Sequence, residues 1–323
     1  MKARPVKKPK LFYYLRNILR QALPGFIYRQ RLETKLSKLK HYNKVEITDR
    51  VNYYNKLQAN VALGADAIQL QNMAIFKSPK AYNFDTFEYT RYFDPELKAT
   101  FLFGDVIHTP DTPTIQKSRP IASDNANAVL LKLDKYRHFV FVDDKVPFEQ
   151  KKDILIGRGV VTQPHRIKFM EMYFDSALCN LGQVNSNGGN IAWLKPKIGI
   201  DEHLQYKFVL SLEGNDVATN LKWIMSSNSV AVMPGPRYET WFMEGRLIPN
   251  VHYIHIKDDF SDLEERLQYY ITHPAEAREI ALNANNYVKQ FFDKAKEDMI
   301  SLLVLQKYFE CTGQISPAEH FNK

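Results

Sequence analysis

The chain has 323 residues, 45% hydrophobic and 25% charged, with 13 Gly, 16 Pro and two Cys. That composition excludes whole-chain disorder, collagen-like repeats and a disulfide or Cys-rich zinc scaffold, and the isolated Cys179 and Cys311 fit a reducing, cytoplasmic setting. The net charge of +8 is uneven: residues 1–40 hold twelve of the 44 Lys/Arg and one, Glu33, of the 36 Asp/Glu, so the remaining chain is slightly acidic and carries no stripe suited to nucleic acid.

Residues 1–42 interleave Lys2, Arg4, Lys7, Lys8 and Lys10 with Leu11, Phe12, Tyr13, Tyr14, Leu15, Ile18 and Leu19. Arg16 and Arg20 interrupt the apolar run and no small-residue cleavage site follows, so a signal peptide is not expected. No window reaches the roughly 18 to 20 uncharged apolar residues of a spanning helix. The pattern predicts a basic amphipathic helical arm, which can lie on an anionic membrane surface or pack on the domain as its first helix.

Residues 43–150, rich in Tyr, Phe and Asn, read as an N-terminal domain with strands at 99–106 and 138–142. From Asp153 the pattern alternates: a strand at 154–156, a helix after Pro164, a strand at 207–212, a helix opening at Asn215 or Asp216 and a strand at 230–233. A short helix around Trp241, a strand at 251–256 and helices at 263–271 and 274–292 follow, the last with Pro274 at its N-terminus. Such alternation over 151–292 predicts a parallel sheet with covering helices, in which ligands bind at the carboxyl ends of the strands. A last helix, 294–308 within 293–323, closes the fold and is expected to cross back to the N-terminal domain.

Two Gly-containing turns stand between a strand and a helix. In the first, Gly157-Arg158-Gly159 is followed by Thr162, Pro164 and Arg166. In the second, Glu213-Gly214-Asn215-Asp216 follows an apolar run and leads through Thr219 and Asn220 to Lys222. Gly214 allows close backbone approach, Asn215 or Asp216 can cap a helix, and the N–H groups of a helix start favour a diphosphate. Arg158 and Arg166 suit bidentate contact with phosphate oxygens, and Lys222, two turns in, is placed to reach the same charge. On spacing alone an ordinary capped turn with solvated arginines accounts for the same residues. Cleft carboxylates are offered by Asp105, Asp143, Asp144 and Glu239; Asp143-Asp144-Lys145 lacks the Asp-x-Asp spacing of a metal-dependent sugar-nucleotide site. His252 and His255, three apart on a strand, point to opposite faces and share no metal.

These segments, taken in order, closely resemble glycosyltransferase family 90. The matching blocks are Arg158-Gly159 with Thr162, Pro164 and Arg166; Tyr206-Lys207-Phe208 through Glu213-Gly214 to Leu221-Lys222; Asn228-Ser229-Val230; Tyr238-Glu239-x-Trp241; Val251-His252-Tyr253-Ile254; and Asp262-Leu263 leading to Ala277-Arg278-Glu279-Ile280-Ala281. Glu213-Gly214-Asn215-Asp216 is similar to the bacterial lipopolysaccharide-modifying branch. The resemblance implies an α/β, GT-B-like fold of two facing Rossmann-like domains preceded by the basic arm. It also implies an inverting, metal-independent transfer of a hexose from a UDP-sugar to a lipopolysaccharide core, a lipooligosaccharide or a related surface glycan. Asp105, in Phe103-Gly-Asp-Val-Ile-His, best matches the place of the family's general base. The donor side falls on Arg158, Gly159, Thr162, Arg166, Glu213, Gly214, Asn215, Asp216, Thr219, Asn220, Lys222 and Glu239. Two departures bear on the donor sugar: Val160 and Val161 follow Arg-Gly, and Asn220 stands where an Arg occurs in the eukaryotic pattern. The expected partners are a nucleotide sugar as co-substrate, a glycan or lipid-linked acceptor and the inner face of the cytoplasmic membrane, with no metal cofactor. A protein O-glycosyltransferase and a non-catalytic binding remnant of the same fold are the competing readings.

Overall fold

A computed structural model describes residues 4–5, 10–21 and 23–317. Two compact units emerge, one built from 137–236 and 245–290 with residues 4–5, the other from 10–21, 23–136, 237–244 and 291–317.

The second unit begins with helix α1 (Lys10–Gln21), then α2 (Lys44–Tyr54) and α3 (Lys80–Thr90). Asn43 starts α2 by accepting a hydrogen bond from Glu46 N at 3.2 Å, satisfying one of the donors a helix start leaves open. A small sheet runs β1 (Ile68–Gln69), β2 (Lys98–Leu102), β3 (Thr114–Gln116), β5 (Ala128–Leu130); β1 is antiparallel to β2 and the rest are parallel. Between β3 and β5, β4 (Ser118–Pro120) leaves this sheet to pair with a strand from much later in the chain, described below.

The first unit holds a five-stranded sheet, all of whose pairings are parallel. Its strands are β6 (Lys152–Gly159), β7 (Cys179–Gln183), β8 (Tyr206–Leu210), β9 (Val230–Met233) and β11 (Ile254–His255), in the order β11-β9-β8-β6-β7. The strands β8 and β9 are apolar runs because both sheet faces are covered, and Phe208, Val209, Val230 and Val232 are buried. Helices α4 (Pro164–Tyr173), α5 (Leu221–Met225), α6 (Leu263–Thr272) and α7 (Pro274–Lys289) belong to the same unit. Residues 4–5 also pair antiparallel with Val142–Asp143 here.

Segment 237–244 leaves the sheet unit and supplies β10 (Tyr238–Thr240), which pairs antiparallel with β4, Glu239 opposite Arg119. The last helix, α8 (Lys294–Cys311), packs on α2 and α3 of the second unit and is capped by Asp293, which accepts from Ala295 N and Lys296 N.

Several local expectations are corrected. No helix opens at Asn215 or Asp216: residues 213–220 form turns, and α5 starts at Leu221, after Asn220. Trp241 follows a strand instead of sitting in a short helix, because β4 offers 238–240 an open edge. Of the strand expected at 138–142 only the end forms, as Val142–Asp143 after a helical turn at Lys135–His138, and the strand at 251–256 shortens to Ile254–His255. The strand β7, Cys-Asn-Leu-Gly-Gln, was not anticipated at all; its polar residues are tolerated at the sheet edge.

Candidate functional site

A cavity of about 250 Å³ opens at the carboxyl edge of the parallel sheet. The end of β6 contributes Gly157, Arg158 and Gly159, the end of β7 Leu181 and Gly182, and the end of β8 Leu210 and then Leu212. Val160, Val161, Phe169 and Met170 close one side, and Thr219 and Asn220 another. Its walls are chiefly apolar and backbone, which leaves the two guanidinium groups as its charged element.

Arg166 stands in the first turn of α4 and stitches the two Gly turns together. Its Nε donates to Glu213 O at 2.9 Å, Nη2 to Leu212 O at 2.9 Å and Nη1 to Val160 O at 2.8 Å. His165 and Gln163 reinforce the junction, at 2.9 Å from Glu213 O and 3.1 Å from Asn215 Oδ1. Arg158 is held by Asn180, through the main-chain oxygen at 2.7 Å and Oδ1 at 2.8 Å, and its buried Nε has no hydrogen-bond partner. Burial lowers the pKa of both groups from the ordinary arginine value, and an arginine side chain stays protonated in a protein. All of these acceptors are neutral, so the positive charge of each arginine is oriented without being cancelled.

The other side chains expected on the donor side divide. Asn220 donates to Leu210 O at 2.9 Å and accepts from Ser211 Oγ at 3.1 Å, fixing the end of β8, and Thr219 lines the cavity beside it. Gly159 lies on the cavity wall. Glu213, Gly214 and Asn215 contribute to the turn that Arg166 grips, whereas Thr162 is exposed beside Gln163. Gly214 does not have the left-handed backbone that demands glycine; an added Cβ would meet Arg166 Nη2 at 3.6 Å, an ordinary contact. Asp216 is buried and caps no helix. Lys222 falls in the first turn of α5, fully buried and away from the cavity lining, so its expected reach toward a ligand is corrected.

Glu239 belongs to the second unit as a buried structural partner. Arg119 Nε meets its Oε1 at 2.7 Å, and the Tyr53 hydroxyl donates to it. Asp105 also lies in the second unit, where Lys117 Nζ pairs with its Oδ1 at 2.5 Å while the carboxylate keeps partial access to solvent. Gly104, at φ +133°, makes the turn that presents it. Asp144 is committed to Lys151 at 2.8 Å and to Asn228 N at 2.9 Å, and Asp143 pairs with Lys145 on the surface. Among the described residues no group of three or more His, Cys, Asp or Glu is arranged to hold a metal ion.

Sequence reading missed one wall of the cavity. Gly182 admits the Arg158 side chain, since an added Cβ would stand 3.0 Å from its Cδ and Nε. The loop after β7 is pinned by Asn185 Oδ1, which accepts from Val161 N at 2.7 Å, and by Gln183 against Gly188 O at 2.9 Å. Gly188-Gly189, both at positive φ, was the available signal for this turn.

The family profile for Glycosyl transferase family 90 matches residues 147–311. The chain is 44% identical over 266 residues to an O-glucosyltransferase LpsA of Dichelobacter nodosus, covering 82% of this chain and 83% of that protein. Similarity extends to Protein O-glucosyltransferase 2 of Danio rerio, 25% over 148 residues (44% of this chain, 29% of the relative). It also reaches Protein O-glucosyltransferase 1 of Rattus norvegicus, 25% over 152 residues (44% and 38%). On the profile match and the near full-length relative, the chain belongs to glycosyltransferase family 90 and is a glycosyltransferase.

Proposed function

We propose that this protein is an inverting, GT-B-like hexosyltransferase that moves a sugar, glucose foremost, from a UDP-sugar to a hydroxyl of a lipopolysaccharide core or related surface glycan at the cytoplasmic side of a membrane. The observation that carries the donor reading is the pair Arg158 and Arg166. Both are held by neutral oxygens at the carboxyl edge of a parallel sheet, in a cavity otherwise apolar. The extensive likeness to a relative named as an O-glucosyltransferase favours glucose.

In this reading the acceptor hydroxyl attacks the anomeric carbon as the bond from that carbon to the diphosphate oxygen breaks. The hydroxyl proton passes to the Asp105 carboxylate, and the electron pair leaves with UDP. Opposite-face attack inverts the anomeric configuration. Arg158 and Arg166 compensate the charge that grows on the departing diphosphate, a role for which preoriented cations need no reorganisation and which leaves no step assigned to a metal. Lys117 orients the base.

Release of UDP from UDP-glucose in the presence and absence of magnesium tests this reading. The wild-type chain should release UDP with or without the ion, and Asp105→Asn should lower the rate by about 10² to 10⁴. Undiminished turnover by Asp105→Asn would remove Asp105 from the mechanism, and strict magnesium dependence would overturn the metal-free scheme.

A further inference from the structure

The first helix is amphipathic in an inverted sense. On the 3.6-residue period, Leu11, Phe12, Leu15, Ile18 and Leu19 share one face of α1. That face is the outer one: the exposure of the five runs from 49% at Ile18 to 79% at Leu11. The opposite face carries polar groups and is buried. The Tyr13 hydroxyl donates to Asp85 Oδ1 at 2.8 Å, and Arg20 pairs with Glu88 at 2.5 Å. Asn17, also buried, links the two by donating to Tyr13 O and accepting from Arg20. Lys135 Nζ, 2.6 Å from Glu88, completes the anchor on α3. These directional polar contacts fix the rotation of the helix, so its apolar side is held outward. Tyr14 packs edge-to-face on the buried Phe84 and ties the helix to the core of the second unit.

The geometry points to a bilayer surface containing anionic lipid as the occupant of this face. Charge complementarity selects it: Lys10 and Arg16 border the apolar stripe, and residues 1–40 carry twelve cations against one acidic residue. Apolar side chains entering the headgroup boundary beside such a cationic segment form an interfacial anchor, and two weak contributions of this kind act together. The helix is therefore a built docking element of the second unit, and its function does not depend on which nucleotide the sheet cavity binds. Removing residues 1–40 would also remove the partners of Asp85 and Glu88, so substitutions on the exposed face give the cleaner test.

The experiment is co-sedimentation of the full chain with vesicles of phosphatidylglycerol and phosphatidylethanolamine, with phosphatidylcholine vesicles alongside. The double variant Leu15→Glu/Leu19→Glu, and separately Phe12→Ser/Ile18→Ser, are compared with the wild type, and circular dichroism melting reports folding. Wild-type chain should pellet with the anionic vesicles, less so at high salt, and both variants should partition at least about tenfold more weakly with unchanged melting. Retention of the wild type in the supernatant, or equal binding by two well-folded variants, would overturn the proposal. Sedimentation velocity showing a wild-type dimer that the substitutions dissolve, with no vesicle binding, would instead assign the face to a second copy of the chain.

Discussion

Three arginines of the second unit and the two arginines of the sheet-unit cavity are treated in opposite ways. In the second unit they meet carboxylates: Arg50 lies 2.7 Å from Glu297, Arg119 2.7 Å from Glu239 and Arg20 2.5 Å from Glu88. In the sheet unit, Arg158 and Arg166 are held by amide and main-chain oxygens alone. A buried cation given a carboxylate is a fastener whose charge is spent inside the fold. One given neutral acceptors is positioned with its charge still available, which is the condition for receiving an anion.

Breaking a fastener should have the largest effect. Glu297 is buried between Arg50 and Lys132, at 2.7 and 2.8 Å, and also accepts from Trp241 Nε1 at 2.7 Å. Glu297→Gln strands both cations and should cost about 3 to 5 kcal/mol in chemical denaturation. The same cluster gives the comparison a pH signature. Burial alone would raise the Glu297 carboxyl, but Lys132 and Arg50 outweigh it and hold it down to about 2, against an ordinary 4.5. A depressed carboxyl stabilises fully above its unfolded value, so this contribution is present above pH 4.5 and lost as pH falls toward 2. Asp85 works in the other sense, pushed by burial up to about 6 despite Lys135, so its penalty eases below that pH. Melting curves across the acid range should therefore show the wild type losing stability below pH 4.5 and Glu297→Gln losing less of it.

An intermediate effect is expected where a position supports the free charge of Arg158. In Gly182→Ala the new Cβ would stand 2.7 Å from Lys195 Cβ and 3.0 Å from Arg158 Cδ. Overpacking of this kind costs about 1 to 3 kcal/mol and should weaken UDP binding by displacing the guanidinium. The smallest effect belongs to the surface. Asp143→Ala breaks the exposed pair with Lys145, worth about 0 to 1 kcal/mol, and thermal melting should barely move.

The sheet unit was the more legible because its cues are local. Val230–Met233 is four apolar residues between polar flanks, and Pro274 marks the start of α7 at the first helical position. The ends of β6 and β8, and with them Arg158, Arg166 and Asn220, follow from those runs. What escaped depends on partners distant in sequence. Glu239 resembles a cleft carboxylate until Arg119, far back in the chain, is found opposite it in β4. Edge strand β7 has neither alternation nor an apolar run to announce it. Lys222 was placed by counting from a helix start that lies several residues later, and the sequence left open whether α1 lies on a membrane or packs on the domain because nothing local reveals its partners Asp85 and Glu88.

The most direct test of the uncancelled-charge account is calorimetric titration with UDP and with uridine, using the wild type and Arg158→Gln. A guanidinium free to meet a diphosphate should make UDP bind much more tightly than uridine, and the variant should lose roughly tenfold or more in UDP affinity while uridine binding stays unchanged. Equal affinity for UDP and uridine, or a variant that binds UDP as the wild type does, would contradict it.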